Sequence, residues 1–467
     1  MATTKIAGRD LRQLGYPEGK VIGIAIKILE KHYRGKSRHQ KLQLMETVIK
    51  TPAFYMKHET LAPVAKALII KTEHNEIIPL EGKRKDYVVY GEEGIEPGAI
   101  HQMDIAMKLP VTRGGALMPD AHQGYGLPIG GVLAVENAVI PYAVGVDIGC
   151  RMCLSVFDMP KGHLSANMEG MKKILLDNTR FGQQAFQRPM DHEVLTRDVF
   201  KQINVLKSLK DKAREQIGTS GGGNHFVEFG IVEIAEDENP WNIPGGNYVS
   251  VLSHSGSRGL GASIARHYTK LAADKCRLPG EAKHLAWLNL DTDDGQEYWE
   301  AMTLAGDYAS ANHHQIHERL AAALGERPIF QVENHHNFAW KEYSPGGKEL
   351  IIHRKGATPA GEGVLGIIPG SMTSPGFIVK GKGNEHSLNS ASHGAGRVMS
   401  RTKAKQDLSE REFHKHIKQA GIELIGSGID EAPMVYKDIY KVMSFQQELV
   451  DIVGTFHPRI VRMSGGI

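Results

Sequence analysis

Apolar side chains recur every three or four residues near the start of the chain, in the stretches 21–29, 41–49 and 61–70. This period places the apolar side chains on one face of a helix. A turn signal at Gly15 and Pro17 precedes the first stretch. The pattern therefore predicts a small, all-helical N-terminal extension, which we assign to residues 1–86.

The pattern changes near Tyr87, where short β-branched runs punctuated by glycine begin, as in residues 126–135. Such runs are typical of strands. Helical periodicity returns at residues 195–215, 262–275, 295–324, 409–420 and 436–453. Strands and helices mix without regular βαβ alternation, which predicts an α+β fold: a mixed core of β-sheets with flanking helices over residues 87–467.

The composition is that of an ordinary globular protein, with 467 residues, 41% hydrophobic and 23% charged. No apolar run approaches the roughly 20 residues of a membrane span. Residues 1–5 do not begin the apolar core of a secretion signal. Three cysteines are too few for a disulfide scaffold and fit a reducing compartment. We expect a cytoplasmic protein without a membrane partner.

The positive charge is concentrated at the start of the chain. Residues 1–75 carry 14 Lys and Arg against 6 Asp and Glu, whereas the whole chain has a net charge of +3. A basic segment ahead of a near-neutral body is typical of contact with a polyanion. A solvated basic face without a partner is the other interpretation, and the sequence leaves both open.

A carboxylate and a thiol lie three residues apart at Asp147 and Cys150, with Gly145 and Gly149 beside them. Glycine lets the main chain bend tightly enough to aim both side chains at one point, and the two groups suit a divalent transition metal. The alternative is a buried cysteine beside a capping aspartate. The metal interpretation is favoured by histidines on separate segments, each at the edge of a strand-like run or in a glycine-rich turn: His225, His254, His336 and His393.

Other motifs do not meet the requirements of the sites that they suggest. There is no phosphate-binding P-loop, and the glycine-rich residues 218–223 lack the strand–helix context of a dinucleotide fold. Cys153 forms a Cys-x-x-Cys spacing with Cys150, but no second pair exists, so we interpret it as a core thiol. His313, His314 and His317 have helical spacing without the glutamate of a His-Glu-x-x-His zinc site. We interpret them as a helix face that packs or faces RNA.

Several longer motifs, in chain order, resemble those of the RtcB-type RNA ligases over roughly residue 88 to the C-terminus. They are residues 118–124 (Met-Pro-Asp-Ala-His-Gln-Gly), 147–150 (Asp-Ile-Gly-Cys), 223–228 (Gly-Asn-His-Phe-Val-Glu), 254–261, 335–337 (His-His-Asn), 369–372 (Pro-Gly-Ser-Met) and 393–401.

The resemblance implies two Mn²⁺ ions per active site, bridged by Cys150, and GTP as the nucleotide donor. The implied metal ligands are Asp147, Cys150, His225, His254 and His336. In this comparison the adjacent Asn337 identifies His336, rather than His335, as the ligand. His393 is implied to be the catalytic nucleophile, which attacks the α-phosphate of GTP and becomes guanylylated.

The resemblance further implies a substrate: RNA with a 3′-phosphate or 2′,3′-cyclic phosphate end and a 5′-hydroxyl end, as in tRNA splicing or RNA repair. An activating accessory protein is a further implied partner. The implied nucleotide contacts are Asn224, Glu228, Asn337, Pro369, Gly370, Ser371, Met372, Gly394, Ala395 and Gly396. The implied RNA or phosphate contacts are Arg258, Arg397, Arg401, Asp120 and His122.

Three places depart from the family pattern. The chain ends in residues 462–467 (Arg-Met-Ser-Gly-Gly-Ile) instead of Lys-Gly, Gly376 replaces a serine, and Arg151 replaces the glycine that follows the cysteine ligand. Two alternatives therefore stay open. One is a metal-dependent RNA phosphodiesterase or 3′-end capping enzyme that does not seal RNA, and the other is a non-catalytic RNA-binding protein with the same fold.

Overall fold

The computed structural model describes residues 6–17, 20–73, 77–235 and 239–465. The predictions for residues 1–5 and for the final Gly466 and Ile467 lie outside the described residues. The chain divides into two compact units: residues 1–79 with 274–277, and residues 80–273 with 278–467. The predicted boundary between residues 86 and 87 stays a prediction. Among the described residues, no helix combines the length and apolarity needed to cross a membrane.

The first unit contains the helices predicted from the apolar period. Its helices are α1 (Gly8–Gln13), α2 (Lys20–His32), α3 (Arg38–Lys50) and α4 (Ala62–Glu73). α3 begins with a capping box, in which the Ser37 hydroxyl accepts from the Gln40 N–H group and the Gln40 side chain accepts from the Ser37 N–H group. Apolar side chains from all four helices form one buried cluster, including Leu11, Leu29 and Val64.

The second unit contains the strands. Its strands are β1 (Val88–Val89), β2 (Thr112–His122), β3 (Ile129–Val135), β4 (Ala138–Val139), β5 (Arg151–Pro160), β6 (Phe226–Ile234), β7 (Gly246–Ser255), β8 (Leu288–Asn289), β9 (Pro328–His335), β10 (Asn337–Tyr343), β11 (Glu349–Lys355), β12 (Ala357–Pro359), β13 (Leu365–Ile368), β14 (Gly376–Gly381), β15 (Ser390–Ser392), β16 (Glu423–Ile425) and β17 (Val450–Met463).

Helices of different lengths lie between these strands. They are α5 (Pro97–Ala106), α6 (Pro141–Val144), α7 (Lys161–Ala166), α8 (Met168–Asn178), α9 (Val199–Gln202), α10 (Asn204–Lys207), α11 (Lys210–Gln216), α12 (Arg258–Lys275), α13 (Asp293–Leu324), α14 (Arg401–Asp407), α15 (Glu410–Gln419) and α16 (Ile439–Ser444).

Two larger sheets organise the second unit. One has the order β1-β2-β3-β11-β10, and the other has the order β13-β14-β17-β6-β7-β5-β9 with β16 paired to β17. Neighbouring strands are antiparallel except β1 with β2 and β16 with β17. This arrangement confirms the predicted α+β class.

The helix predictions meet different outcomes. α12, α13 and α15 agree with the predicted stretches, and short helices divide residues 195–215. The prediction of one helix over residues 436–453 is wrong, because α16 ends at Ser444 and β17 begins at Val450. The β-branched residues from Val450 onward pair with β14 and β6, so tertiary pairing decides the structure of this stretch.

Candidate active site

The predicted metal ligands lie at the ends of adjacent strands in the larger sheet. Cys150 precedes β5 and His225 precedes β6, whereas His254 lies near the end of β7 and His336 follows β9. β6, β7, β5 and β9 are neighbours in that order, and their antiparallel pairing brings two strand starts and two strand ends to one edge. Asp147 lies in the turn that enters β5.

The side-chain donor atoms of these residues converge on one place. The Cys150 Sγ atom lies 3.4 Å from His225 Nε2 and 3.2 Å from His254 Nε2. His254 Nε2 lies 3.3 Å from His336 Nε2, and His225 Nε2 lies 2.9 Å from Asp147 Oδ2. Cys150, His225 and His254 form a group that could hold a metal ion, and Asp147 and His336 each lie beside one of its donors. One sulfur, three imidazole nitrogens and one carboxylate are a donor set that fits transition-metal ions.

Main-chain contacts orient these donors. The carbonyl oxygen of Asn224 lies 3.1 Å from His254 Nδ1, so an Nδ1–H donor there leaves the Nε2 lone pair free. The Ser257 N–H group donates to Asp147 Oδ1 at 3.2 Å. A Cβ atom at Gly256 would lie 2.2 Å from Asp147 Oδ1, so only glycine permits this approach.

Burial favours the neutral form of His254 and His336. It lowers the pKa of His254 to about 3 and the pKa of His336 well below its ordinary value, so that both imidazoles keep a lone pair at neutral pH. Burial and the Asp147 charge raise the pKa of the Cys150 thiol. Burial would also raise the pKa of Asp147, but His225, Cys150 and His254 outweigh it and lower that pKa. Metal binding at Cys150 would therefore release the thiol proton.

His393 lies beside this centre. It follows β15, and its ring centroid is 4.9 Å from that of His336. Its Nδ1 atom lies 2.6 Å from Oδ2 of Asp120, and the same oxygen accepts its main-chain N–H group at 3.1 Å. Burial opposes ionisation of Asp120, yet His393, Lys437 and His122 together lower the pKa of its carboxyl. A carboxylate on Nδ1 leaves Nε2 of His393 as the lone-pair nitrogen.

Asp120, for which the resemblance implied an RNA or phosphate contact, is instead buried against His393. Its side chain is fully buried on β2 and holds His393. Arg258 also points elsewhere, because its guanidinium donates to Thr219 Oγ1 at 3.1 Å and to the Gly182 carbonyl. His122 does line the cavity described next, with burial lowering its pKa to about 4.

A cavity of about 340 Å³ opens between the donor cluster and His393. All ten of the predicted nucleotide contacts line it: Asn224, Glu228, Asn337, Pro369, Gly370, Ser371, Met372, Gly394, Ala395 and Gly396. Glu228 lies on β6 and is buried, which raises the pKa of its carboxyl well above the ordinary value. At Gly396, with a φ of 74°, an added Cβ atom would lie 2.1 Å from the Asp120 carbonyl oxygen.

The cavity wall also contains residues that the sequence analysis missed. Arg397 and Arg401, the predicted phosphate contacts, line the cavity, and both bind Glu431. Arg401 also pairs with Asp430 at 2.9 Å, and the Tyr436 hydroxyl donates to Glu431. Two adjacent carboxylates in a short turn before a proline were the available signal for this network.

The departures from the family pattern have structural consequences. Arg151 is buried, and its guanidinium donates to the Gly306 carbonyl at 2.9 Å and pairs with Glu333 at 3.2 Å. Gly376 and Met463 line the cavity. Arg151 thus points to α13 and β9, which leaves the donor atoms around Cys150 unobstructed.

Comparison with known proteins gives consistent matches. A sequence model described as tRNA-splicing ligase RtcB matches residues 102–203 and 188–464. RNA-splicing ligase RtcB1 from Escherichia coli strain ATCC 25922 is 33% identical over 392 residues, which span 77% of this chain and 93% of that protein. tRNA-splicing ligase RtcB from Nanoarchaeum equitans is 30% identical over 461 residues, which span 82% of this chain and 96% of that protein.

Proposed function

This chain belongs to the RtcB family, and from that premise we propose that it is an RNA ligase that joins a 3′-phosphate or 2′,3′-cyclic phosphate end to a 5′-hydroxyl end. The observation that carries the proposal is the position of His393, held by a buried carboxylate beside converging sulfur, nitrogen and oxygen donors. His393 lines the cavity, and the contact with Asp120 occupies only its Nδ1 atom. Nε2 of His393 is therefore the nitrogen that could act as the nucleophile.

The donor set fits divalent transition-metal ions, and we propose that the site would hold two Mn²⁺ ions with Cys150 among their ligands. Asp147, His225, His254 and His336 would supply the remaining protein ligands. A thiolate with imidazole and carboxylate ligands does not by itself select one metal, so manganese follows from the family assignment. When bound, the ions would withdraw charge from the phosphate oxygens of the nucleotide.

The role of His393 follows from its contacts. Nε2 would attack the α-phosphorus of GTP, a P–N bond would form, and the bond to pyrophosphate would break. Asp120 would stabilise the positive charge that develops on the imidazole. A 3′-phosphate oxygen of RNA would then attack the same phosphorus and break the P–N bond. Finally the 5′-hydroxyl would attack the RNA 3′-phosphate, and GMP would leave.

The cavity wall supports a guanine nucleotide. Glu228 lines the cavity, and apolar Leu252 is its partner in the pairing of β6 with β7. Burial raises the pKa of this carboxyl, and hydrogen bonds from two N–H donors would favour its ionised form. The Watson–Crick edge of guanine offers two adjacent N–H groups to such a carboxylate. Adenine offers an acceptor in the corresponding position, so Glu228 would favour GTP over ATP.

Arg397 and Arg401 would bind phosphate by giving up their contacts with carboxylates. Arg397 and Arg401 are held by Glu431 and Asp430 at the cavity wall. Forked guanidinium groups bind phosphate oxygens in the same way as carboxylates. We therefore propose that they bind RNA or nucleotide phosphate, with His122 beside them, and that Arg258 holds residues 182 and 219 near His225. We further propose a cytoplasmic location and an activating accessory protein.

Ligation of defined RNA ends tests this proposal. Two short RNAs, one with a 3′-phosphate or cyclic phosphate and one with a 5′-hydroxyl, are incubated with Mn²⁺ and either GTP or ATP. We expect a joined product with GTP, and none with His393→Ala. Hydrolysed or capped 3′ ends without joining would favour the phosphodiesterase or capping alternative. RNA binding without any change of the ends would favour a non-catalytic protein.

A further inference from the structure

A second group of metal-binding side chains lies on the other face of the strands that carry the active site. Cys153 is on β5, and His313 and His317 are one turn apart on α13. One donor atom from each of these three residues lies within 4.8 Å of the other two, and all three side chains are buried. The sequence suggested a core thiol and a helix face, and the structure brings these two features together.

Strand register explains why this group is separate from the active site. In the pairing of β5 with β7, Met152 faces His254 and Cys153 faces Ser253. Successive side chains of a strand point to opposite faces, so Met152 and His254 line the cavity, whereas Cys153 and Ser253 meet α13 on the opposite side. The group is therefore not part of the active-site donor set.

Hydrogen bonds orient both histidines but leave one nitrogen without a partner. Ser253 Oγ lies 2.7 Å from His313 Nδ1 and 2.8 Å from His317 Nε2. Ser155 Oγ lies 2.7 Å from His317 Nδ1 and accepts from the Gln331 side chain. Nε2 of His313 is buried and has no hydrogen-bond partner. A buried polar atom without a partner costs free energy, which a ligand would recover.

The protonation states suit a metal ion. Burial lowers the pKa of His313 well below its ordinary value and the pKa of His317 to about 3, so both rings are neutral. Burial raises the pKa of the Cys153 thiol. Glu333 pairs with Cys153 in the register of β5 with β9, and its charge acts on all three side chains. Arg151 and His314 pair with Glu333, so the feature that suits a cation is the pair of neutral imidazoles with lone pairs beside the thiol.

We propose that Cys153, His313 and His317 bind one Zn²⁺ ion that is distinct from the active-site metals. One thiol and two imidazoles are ligands that zinc prefers in tetrahedral protein sites, and an oxygen donor would complete the tetrahedron. Tetrahedral bonds of about 2.0–2.3 Å separate ligand atoms by roughly 3.3–3.8 Å, so donor atoms within 4.8 Å would have to move closer by about 1 Å. His317 would exchange one of its two serine hydrogen bonds for the bond to the metal. On binding, the Cys153 thiol loses its proton to solvent, and a sulfur–zinc bond forms.

The ion would fix α13 to the back of the active-site strands. Cys153 lies three residues after Cys150 on one segment, and Ser253 precedes His254 on the next. A structural zinc at this position would hold both segments in register against the helix. This inference does not depend on the ligase reaction, because metal content and stability report it directly.

Metal analysis of the full chain tests the site in a background without the active-site sulfur. The Asp147→Ala/Cys150→Ala chain is stripped with a chelator, reloaded with Zn²⁺ or Co²⁺, desalted and analysed by mass spectrometry for metals. We expect one tightly held equivalent, and a thiolate-to-cobalt charge-transfer band with Co²⁺. Adding Cys153→Ser should remove both signals.

Matched substitutions separate binding from general damage. Cys276→Ser removes another buried thiol, and His314→Gln removes the neighbouring histidine of α13. Both variants should still bind one equivalent of metal per chain. If Cys153→Ser does not fold, as judged by near-ultraviolet circular dichroism, His313→Gln provides the same test with nearly unchanged volume. The proposal is overturned if the background chain holds no tight equivalent, or if the cobalt band persists without Cys153 and His313.

Discussion

Nδ1 of His393 lies 2.6 Å from Oδ2 of Asp120, although 272 residues separate the two positions along the chain. Asp120 is fully buried on β2, and Oδ2 also accepts the main-chain N–H group of His393. The carboxylate therefore fixes both the ring and the main chain of the proposed nucleophile. This relationship fixes which nitrogen of the His393 ring faces the carboxylate.

Asp120→Asn should reduce formation of the guanylylated enzyme by about 10³-fold or more. An asparagine has the same shape, but its amide can donate to Nδ1 and place the imidazole proton on Nε2, which removes the nucleophilic lone pair. Single-turnover labelling with GTP carrying a labelled α-phosphate measures the rate. Asp158→Asn at an exposed position of β5 is the control, and an unchanged rate in Asp120→Asn would contradict the assigned role.

Glu228→Gln should reduce the preference for GTP over ATP by about 10- to 100-fold, because one acceptor for the guanine N–H groups is replaced by a donor. The comparison requires KM values for both nucleotides in adduct formation. Glu233→Gln, at the exposed end of the same strand, provides the control. If the nucleotide preference of Glu228→Gln equals that of the unmodified chain, the guanine contact must lie elsewhere.

Lys355 should make the stability of the protein depend on pH in the alkaline range. Burial lowers the pKa of Lys355 to about 7, whereas the unfolded chain keeps the ordinary lysine pKa near 10.4. Between these values the unfolded state binds more protons, so the free energy of unfolding rises with pH, by up to about 1.4 kcal/mol per pH unit. Below the folded pKa, the cost of charging the buried amine is fully present.

Lys355→Met removes this dependence, together with the hydrogen bond from Nζ to the Tyr125 carbonyl. Urea denaturation of the metal-free protein measures the free energy of unfolding of both chains. The value for the variant minus the value for the unmodified chain should be largest near pH 6 and should fall progressively toward pH 9.5. Lys341→Met, on β10 and more exposed, should show no such trend. A constant difference between the two chains across this range would contradict the low pKa.

The helical extension should contribute to RNA affinity through its charge. Lys27, Lys31 and Lys36 are exposed in or after α2. Replacing all three with glutamine should weaken RNA binding and reduce the slope of log affinity against log salt by up to about 1 per lost phosphate contact. Lys161→Gln, at an exposed position in the second unit, measures how much the loss of one positive charge elsewhere changes RNA affinity. If the triple variant has the same RNA affinity and salt slope as the unmodified chain, the prediction is contradicted and the basic face is a solvated surface without a partner.

The local parts of this structure were predictable, and the long-range contacts were not. Helical periodicity predicted α2, α3, α4 and α13. The proposed metal ligands were identified from short motifs at strand-like edges or in glycine-rich turns and from the resemblance of those motifs to the family's. Their convergence depends on the order of β6, β7, β5 and β9, which a single sequence does not specify.

Contacts between distant segments account for what the sequence analysis missed. The resemblance implied that Asp120 contacts the substrate or supports a residue that does, and the structure places its carboxylate, on β2, against His393. The Glu431 contacts with Arg397 and Arg401 depend on the path of the turn that precedes α16. The group of Cys153, His313 and His317 depends on the register between β5 and α13, so neither segment alone indicated it.

Mapping the covalent adduct tests the central claim, that His393 acts as a nucleophile beside a metal centre built around Cys150. The full chain is incubated with GTP and Mn²⁺, digested under alkaline conditions that preserve P–N bonds, and analysed by mass spectrometry. We predict a GMP adduct on the imidazole of His393, and no adduct in His393→Ala or in Cys150→Ala. An adduct on another residue, or one that forms equally in Cys150→Ala, would contradict the account.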